Sequence, residues 1–279
     1  MILGSETGSG KTLAYLLPLI NHLLTTPTDL SFKPHRTTSI IVCPNKELVQ
    51  QILHSAAMLS PSKANCIKHG AHEDTIDSLP PPDPNAAELP DFTIASMPGG
   101  YRSFTDFPPW RHTQSPLGSD IVVTTPAAYA PLALDINNLP LLSEIDTLVV
   151  DECDMLLDGG YLKPLNEILT GFRRRTKLNP EFGARPARHV FVGATIPNYG
   201  LRSVDALIGR RFPLATRASE NLHNAKHAGL AEVEWVRTET DAERFRLICE
   251  LLRGKGEGEK IIVFVNTVEG VEILVEALR

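Results

Sequence analysis

Apolar side chains recur at helical spacing over Lys11 to Leu24, where Leu13, Leu16, Leu17, Ile20 and Leu24 predict a helix despite Pro18. Residues 25–36 are polar, hold two prolines and read as a loop. Thr38-Ser39-Ile40-Ile41-Val42-Cys43 is a continuous apolar run closed by Pro44, the pattern of a strand buried on both faces. Helical spacing returns over Lys46 to Leu59, and Cys66 to His69 predicts a short strand. From His69 to Pro90 the chain turns polar and proline-rich, which reads as a long mobile surface insertion. Phe92 to Met97 is strand-like and ends at Gly99-Gly100. Arg102 to Ser119 is irregular, with Phe104, Phe107 and Trp110 set among prolines. Three more runs of strand length follow, Ile121–Thr124, Thr147–Val150 and His189–Val192. Strands alternating with helices at these lengths predict an α/β fold with a doubly wound parallel sheet. Ligands of such sheets bind beyond the carboxyl ends of the strands, so the residues after Leu3, Val150 and Val192 are expected at one site.

The first domain is expected to span residues 1–217. A polar, histidine-containing stretch, 218–231, reads as a linker, and 232–279 reads as the start of a second domain. There Glu232 to Arg237 is a candidate strand, and Asp241 to Leu252 is a helix with Phe245, Ile248, Cys249 and Leu252 on one face. Lys260 to Thr267 predicts a strand, and Val271, Leu274, Val275 and Leu278 make the last helix amphipathic. A length of 279 residues, 42% of them hydrophobic and 22% charged, suits a globular protein of two domains. The net charge of −6 and pI near 5.9 mean that any contact with nucleic acid must come from a local basic surface. No apolar run is long enough to span a membrane, because Pro18, Asn21 and His22 interrupt the leucine-rich segment, and no membrane partner is expected. The four cysteines, Cys43, Cys66, Cys153 and Cys249, lie far apart in sequence. That argues for a reducing compartment and against a disulfide framework or a zinc site.

Chemistry is concentrated in two stretches. Ser5-Glu6-Thr7-Gly8-Ser9-Gly10-Lys11-Thr12 reads as a phosphate-binding loop ahead of a helix. Gly8 and Gly10 let backbone N–H groups turn toward a polyphosphate, Lys11 would reach the β- and γ-phosphates, and the Thr12 hydroxyl would bind Mg²⁺. The partial positive end of the helix points at the same anion. The strict pattern asks for glycine where Ser5 stands. Only Met1, Ile2 and Leu3 precede Gly4, so the strand that should lead into the loop is expected to be missing and the chain to be a fragment. The second stretch is Val149-Val150-Asp151-Glu152-Cys153-Asp154, an apolar strand ending in adjacent carboxylates. Asp151 would hold Mg²⁺ and Glu152 would orient and deprotonate an attacking water. His69, His72, Glu73 and Asp74 read as a solvated loop, and Arg173-Arg174-Arg175 with Lys177 as a solvated helix end.

Beside these two stretches stand Pro44-Asn45-Lys46-Glu47-Leu48-Val49-Gln50-Gln51, Gly99-Gly100, Thr125-Pro126 and Gly193-Ala194-Thr195. In this order the set resembles the motifs of DEAD-box ATP-dependent RNA helicases, across nearly the whole first domain. The resemblance implies RecA-like domains of the P-loop NTPase class that close on ATP and single-stranded RNA. By the same resemblance, Ser5 to Thr12 bind ATP with Mg²⁺ at Thr12 and Asp151, and Lys11, Asp151 and Glu152 serve hydrolysis. Gly193, Ala194 and Thr195 couple hydrolysis to strand separation. Pro44, Lys46, Glu47, Gln51, Gly100, Thr125 and Pro126 touch the RNA sugar-phosphate backbone, a contact that fixes a strand without reading its bases.

The chain departs from the family pattern at several points. Asn45 and Lys46 stand where Thr and Arg are usual, Ala127-Ala128 replaces Gly-Arg, Cys153 replaces Ala, and Gly193 replaces Ser. The motifs of the family's second domain do not follow, so the chain is expected to turn over ATP poorly by itself. Glu6, Ala194-Thr195-Ile196-Pro197 and Leu222-His223 resemble fungal mitochondrial members of the family. This implies a mitochondrial location and work on organellar RNA with ribosome-assembly or RNA-processing factors; the nucleus or cytoplasm are the other compartments. Two other readings stay open at this point: a P-loop ATPase of another class, and a non-catalytic remnant that binds nucleotide or RNA.

Overall fold

Eight parallel strands form one sheet in the computed structural model, in the order β3-β4-β5-β2-β6-β7-β1-β8. The structure describes residues 1–5, 8–25, 37–60, 67–69, 92–97, 99, 119–138, 142, 145–158, 160–178, 186–194, 204–219, 236–253 and 263–278. The strands are β1 (Ile2–Gly4), β2 (Ser39–Val42), β3 (Ile67–His69), β4 (Ile94–Ser96), β5 (Ile121–Thr124), β6 (Thr147–Val150), β7 (Arg188–Gly193) and β8 (Arg217–Ser219). The helices are α1 (Lys11–Thr25), α2 (Lys46–Ala57), α3 (Pro126–Leu134), α4 (Cys153–Asp158), α5 (Leu162–Leu178), α6 (Val204–Arg211), α7 (Asp241–Arg253) and α8 (Val268–Leu278). None among the described residues is long and apolar enough to cross a membrane.

The continuous apolar strands have a direct cause: both sheet faces are covered. Ile40, Val42, Val122, Leu148, Val150 and Phe191 point into one core, with Tyr129 of α3, Leu156 of α4, Ile168 of α5 and Ile208 of α6. Their neighbours Ile41, Val123, Val149 and Val192 point into the other, with Leu16 and Ile20 of α1 and Ile52 and Leu53 of α2. Strand side chains alternate between faces, so a strand buried on both has no polar alternation to show. Each core residue removed from water contributes about 1.5–3 kcal/mol relative to exposure, which fixes the register of the central strands.

Three expectations are corrected. Met1 to Leu3 are not a stub without a strand: Ile2–Gly4 form β1, parallel to both β7 and β8. Two flanking strands supply the ladder, with Ile2 N–H donating to Thr216 O at 2.8 Å and Phe191 N–H to Met1 O at 2.9 Å. Residues 218 and 219, expected in a linker, complete β8, and the first compact unit runs to Asn224. On α1 the buried face is Tyr15, Leu16, Leu19 and Ile20, while Leu13, Leu17 and Leu24 are exposed. That segment is apolar almost all round, so periodicity alone does not choose the stripe that meets the sheet.

In the second unit, Ala225–Arg279, the helices start at capping threonines. Thr240 Oγ1 accepts from Glu243 N–H at 3.2 Å, and Thr267 Oγ1 accepts from Gly270 N–H at 3.1 Å. On α7 the expected face holds, with Cys249 buried and Phe245, Ile248 and Leu252 half-buried. On α8 Leu274 is buried, whereas Val271 and Val275 are exposed. Val263 to Val265 are described but form no strand, since a strand exists only where a ladder partner pairs with it. Of the candidate strand 232–237, only Val236 and Arg237 are described, and they too lie outside any ladder. The insertion between His69 and Pro90, beyond His69 itself, lies outside the described residues.

Candidate nucleotide site at the carboxyl edge of the sheet

Because all eight strands run the same way, their carboxyl ends share one edge. Register then sorts the candidates along it: Val42 pairs with Thr124 and Val150, Val150 with Phe191, and Gly193 with Gly4. The turns that leave β5, β2, β6, β7 and β1 therefore stand in that order. Thr125-Pro126 and Pro44 fall on one half of the edge, Ser5 and Gly8 to Thr12 on the other, and Asp151-Glu152 between them.

The loop after β1 turns at Gly8 (φ +79°) and Gly10 (φ +88°), left-handed conformations that a side chain would strain. Lys11 opens α1, and Ala14 N–H donates to Gly10 O at 3.0 Å. The Lys11 ammonium donates to Ser5 O at 2.9 Å, so the cation is held across the mouth of the loop. Ser5 N–H in turn donates to Gly193 O at 3.3 Å, joining the loop to the end of β7.

At the end of β6 the Asp151 carboxylate is buried. Its Oδ2 accepts from the Tyr15 hydroxyl at 2.8 Å, and its Oδ1 accepts from Glu152 N–H at 3.0 Å. Burial raises its pKa above the usual carboxylate range, opposed by the Tyr15 and Glu152 hydrogen bonds and by the charge of Lys11. Glu152 is half-buried, and its pKa is raised first by burial and then by the Asp151 charge, with Lys11 opposing. It is the one non-glycine residue with positive φ among those described, at +47°. Such a conformation is uncommon for a side chain, and the turn it makes leads straight into α4. A half-buried carboxylate of raised pKa, beside a cation, is suited to take a proton from water.

The oxygen donors here fit a hard cation, since Thr12 offers a hydroxyl and Asp151 a carboxylate. Among the described residues no cluster of three or more His, Cys, Asp or Glu side chains could hold a metal by itself. That combination suits Mg²⁺ arriving with a nucleotide, because Mg²⁺ takes one or two protein oxygens and fills its shell from phosphates and water.

On the other half of the edge, Asn45 caps α2, its Oδ1 accepting from Leu48 N–H at 2.8 Å. Pro44 is buried, while Lys46, Glu47 and Gln51 are exposed at the start of α2. Thr125 precedes α3 and Pro126 occupies its first turn, where the missing N–H costs nothing. Ala127 is exposed and Ala128 buried, so the second of these alanines is part of the packing. Gly193 is buried against the start of α4, where an added Cβ would lie 3.1 Å from Cys153 Sγ and 3.3 Å from Asp154 Oδ1. Glu6, Thr7, Gly100 and Thr195 lie outside the described residues. Sequence reading passed over Tyr15, which sits on an apolar helix face. The signal for it is a tyrosine four residues after the loop lysine, since a buried phenol needs a partner.

Comparison with known proteins gives a family, two relatives and a solved structure of similar fold. The family profile described as DEAD/DEAH box helicase matches residues 1–83 and 103–202. The chain is 28% identical over 295 residues to the mitochondrial ATP-dependent RNA helicase MRH4 of Kluyveromyces lactis, covering 99% of this chain and 42% of that protein. It is 26% identical over 274 residues to DEAD-box ATP-dependent RNA helicase 49 of Arabidopsis thaliana, covering 96% of this chain and 39% of that one. The chain thus spans about two fifths of the length of these curated relatives. Among solved structures, the DUF1998 helicase MrfA has a similar fold, with a TM-score of 0.57 at 17% identity, covering 99% of this chain and 35% of that one.

Proposed function

This chain belongs to the DEAD/DEAH box helicase family, and from that premise we propose that it binds ATP with Mg²⁺ and serves ATP-dependent remodelling of RNA. The observation that carries the reading is the single sheet edge on which the Ser5–Thr12 loop, Asp151-Glu152 and Gly193 meet. Ser5 to Thr12 wrap the phosphates, with Lys11 supplying the fixed cation and Thr12 and Asp151 facing the metal. The metal, when bound, neutralises phosphate charge that builds up during transfer. Glu152 orients and deprotonates the attacking water. Gly193, Ala194 and Thr195 couple hydrolysis to strand separation, and the Ser5 to Gly193 hydrogen bond ties the first of them to the loop. Single-stranded RNA lies across Pro44, Lys46, Glu47, Gln51, Gly100, Thr125 and Pro126, held through its backbone.

Membership of this family argues against a P-loop ATPase of another class. The non-catalytic reading keeps one supporting observation: Ala127-Ala128 stand where the family pattern has Gly-Arg, so the position offers no guanidinium to RNA. A mitochondrial location is supported by the likeness to a relative named as mitochondrial, and we propose organellar ribosome-assembly or RNA-processing factors as partners there. Phosphate release from ATP by this chain joined to the family's second RecA-like domain, with and without a single-stranded RNA oligomer, tests the function. Release that RNA stimulates, and that Glu152→Gln abolishes while nucleotide still binds, is the expected result. Nucleotide binding with no release at all would favour the non-catalytic reading, and undiminished release from Glu152→Gln would move the base elsewhere.

A further inference from the structure

Tyr15 lies on the buried face of α1 with 3% of its surface exposed. Its ring belongs to the core between α1, α2 and the sheet. Its hydroxyl leaves that core and donates to Asp151 Oδ2 at 2.8 Å, across 136 residues of sequence. The Thr12 hydroxyl, three residues earlier on the same helix, interacts with the same phenolic oxygen. The phenol is thus bonded to the carboxylate that would face a metal, with the Thr12 hydroxyl on its other side. With Glu152 N–H on Oδ1 and Tyr15 on Oδ2, each oxygen of the buried carboxylate is held by a donor from the chain. Such a carboxylate cannot rotate freely, and its orientation is set before any ligand arrives.

We propose that Tyr15 is a positioning residue of the nucleotide site, whose phenol holds the Asp151 carboxylate in the orientation that receives a metal–nucleotide. The inference rests on the reading of this edge as a nucleotide site. Tyr15 touches neither phosphate nor metal in it; it acts through the carboxylate. Its loss is felt only by the part of nucleotide affinity that depends on the metal. A packing role would weaken binding with and without metal alike.

The test is the affinity of the 279-residue chain for a fluorescent ADP analogue, measured once with Mg²⁺ and once with EDTA, for the parent, Tyr15→Phe, Asp151→Asn and Lys11→Ala. Phe keeps the ring and its packing and removes one hydroxyl. Tyr15→Phe is expected to lose roughly tenfold of the gain that Mg²⁺ brings, a hydrogen bond to a charged group being the contact removed, with the EDTA affinity unchanged. Asp151→Asn is expected to lose at least as much of that gain, and adding Tyr15→Phe to it should cost nothing more. An unchanged Mg²⁺ gain in Tyr15→Phe overturns the proposal, and equal losses in Mg²⁺ and EDTA overturn it in favour of packing. If the single variant does not fold with its carboxylate left short of a donor, Tyr15→Phe/Asp151→Asn against Asp151→Asn carries the test. Equal gains there support the proposal, and a further loss overturns it. Absence of binding by the parent, or no effect of Lys11→Ala, would instead remove the nucleotide reading on which the proposal stands.

Discussion

Gly193 and Cys153 both depart from the family pattern, and they are in contact. A Cβ at position 193 would sit 3.1 Å from the Cys153 sulfur, tighter than most packed Cβ contacts, so the sulfur would have to give way by a few tenths of an ångström. The larger sulfur is accommodated by the missing side chain, so the two changes form one exchange of volume. Gly193→Ser should therefore destabilise the fold by about 1–3 kcal/mol through overpacking, and adding Cys153→Ala should recover most of it. Urea unfolding of the two single variants and the double variant checks this; additive losses would mean that the sites are independent. The carboxylates beside them give a pH dependence. Asp151 and Glu152 both have pKa values raised by burial, so the folded state holds their protons more tightly than the unfolded chain. Their contribution to stability is full below the unfolded values and is lost as pH rises through the raised folded ones. Without nucleotide, Glu152→Gln should flatten the fall in thermal midpoint as pH rises from about 4, the unperturbed carboxylate value, through the raised folded one. The motif residues were legible because each needs a particular atom at a particular spacing. Tyr15 was not, because its ring satisfies the helical pattern as an apolar residue and its hydroxyl finds Asp151 only in three dimensions.

Helix α2 carries the exposed Lys46, Glu47 and Gln51, and its start is fixed by Asn45. Asn and Thr both cap a helix, so this departure from the family pattern keeps the backbone interaction. Asn45→Ala should cost about 1 kcal/mol of stability and Asn45→Thr only a few tenths, read from the shift in the urea midpoint. At this scale the sequence was readable wherever an element is buried on both faces, as β2, β5 and β6 are. It misled where tertiary partners decide. Ile2–Gly4 become a strand because β7 and β8 flank them, and no local pattern announces that. Conversely, Val263 to Val265 have strand composition without a ladder. The stripe of α1 that meets the sheet was equally hidden, since leucines surround that helix.

For the first unit as a whole, parallel direction and strand order do the work. They carry loops from residues 5, 43, 125, 151 and 193 to one edge, with the phosphate-type loop and the α2 turn on opposite sides of Asp151-Glu152. Burial of those carboxylates costs stability when they ionise, a cost that functional sites commonly carry. Every role proposed for these residues depends on whether that edge binds a nucleotide. Titration calorimetry of the 279-residue chain with ADP and Mg²⁺, against the Lys11→Ala variant, measures it. Lys11 is the fixed cation that the described part of the loop offers to the phosphates, and removing a charge-assisted contact of this kind should weaken binding roughly tenfold or more. Saturable binding by the parent with that loss in the variant is the result expected. Equal affinities, or no heat from either protein, would contradict the account.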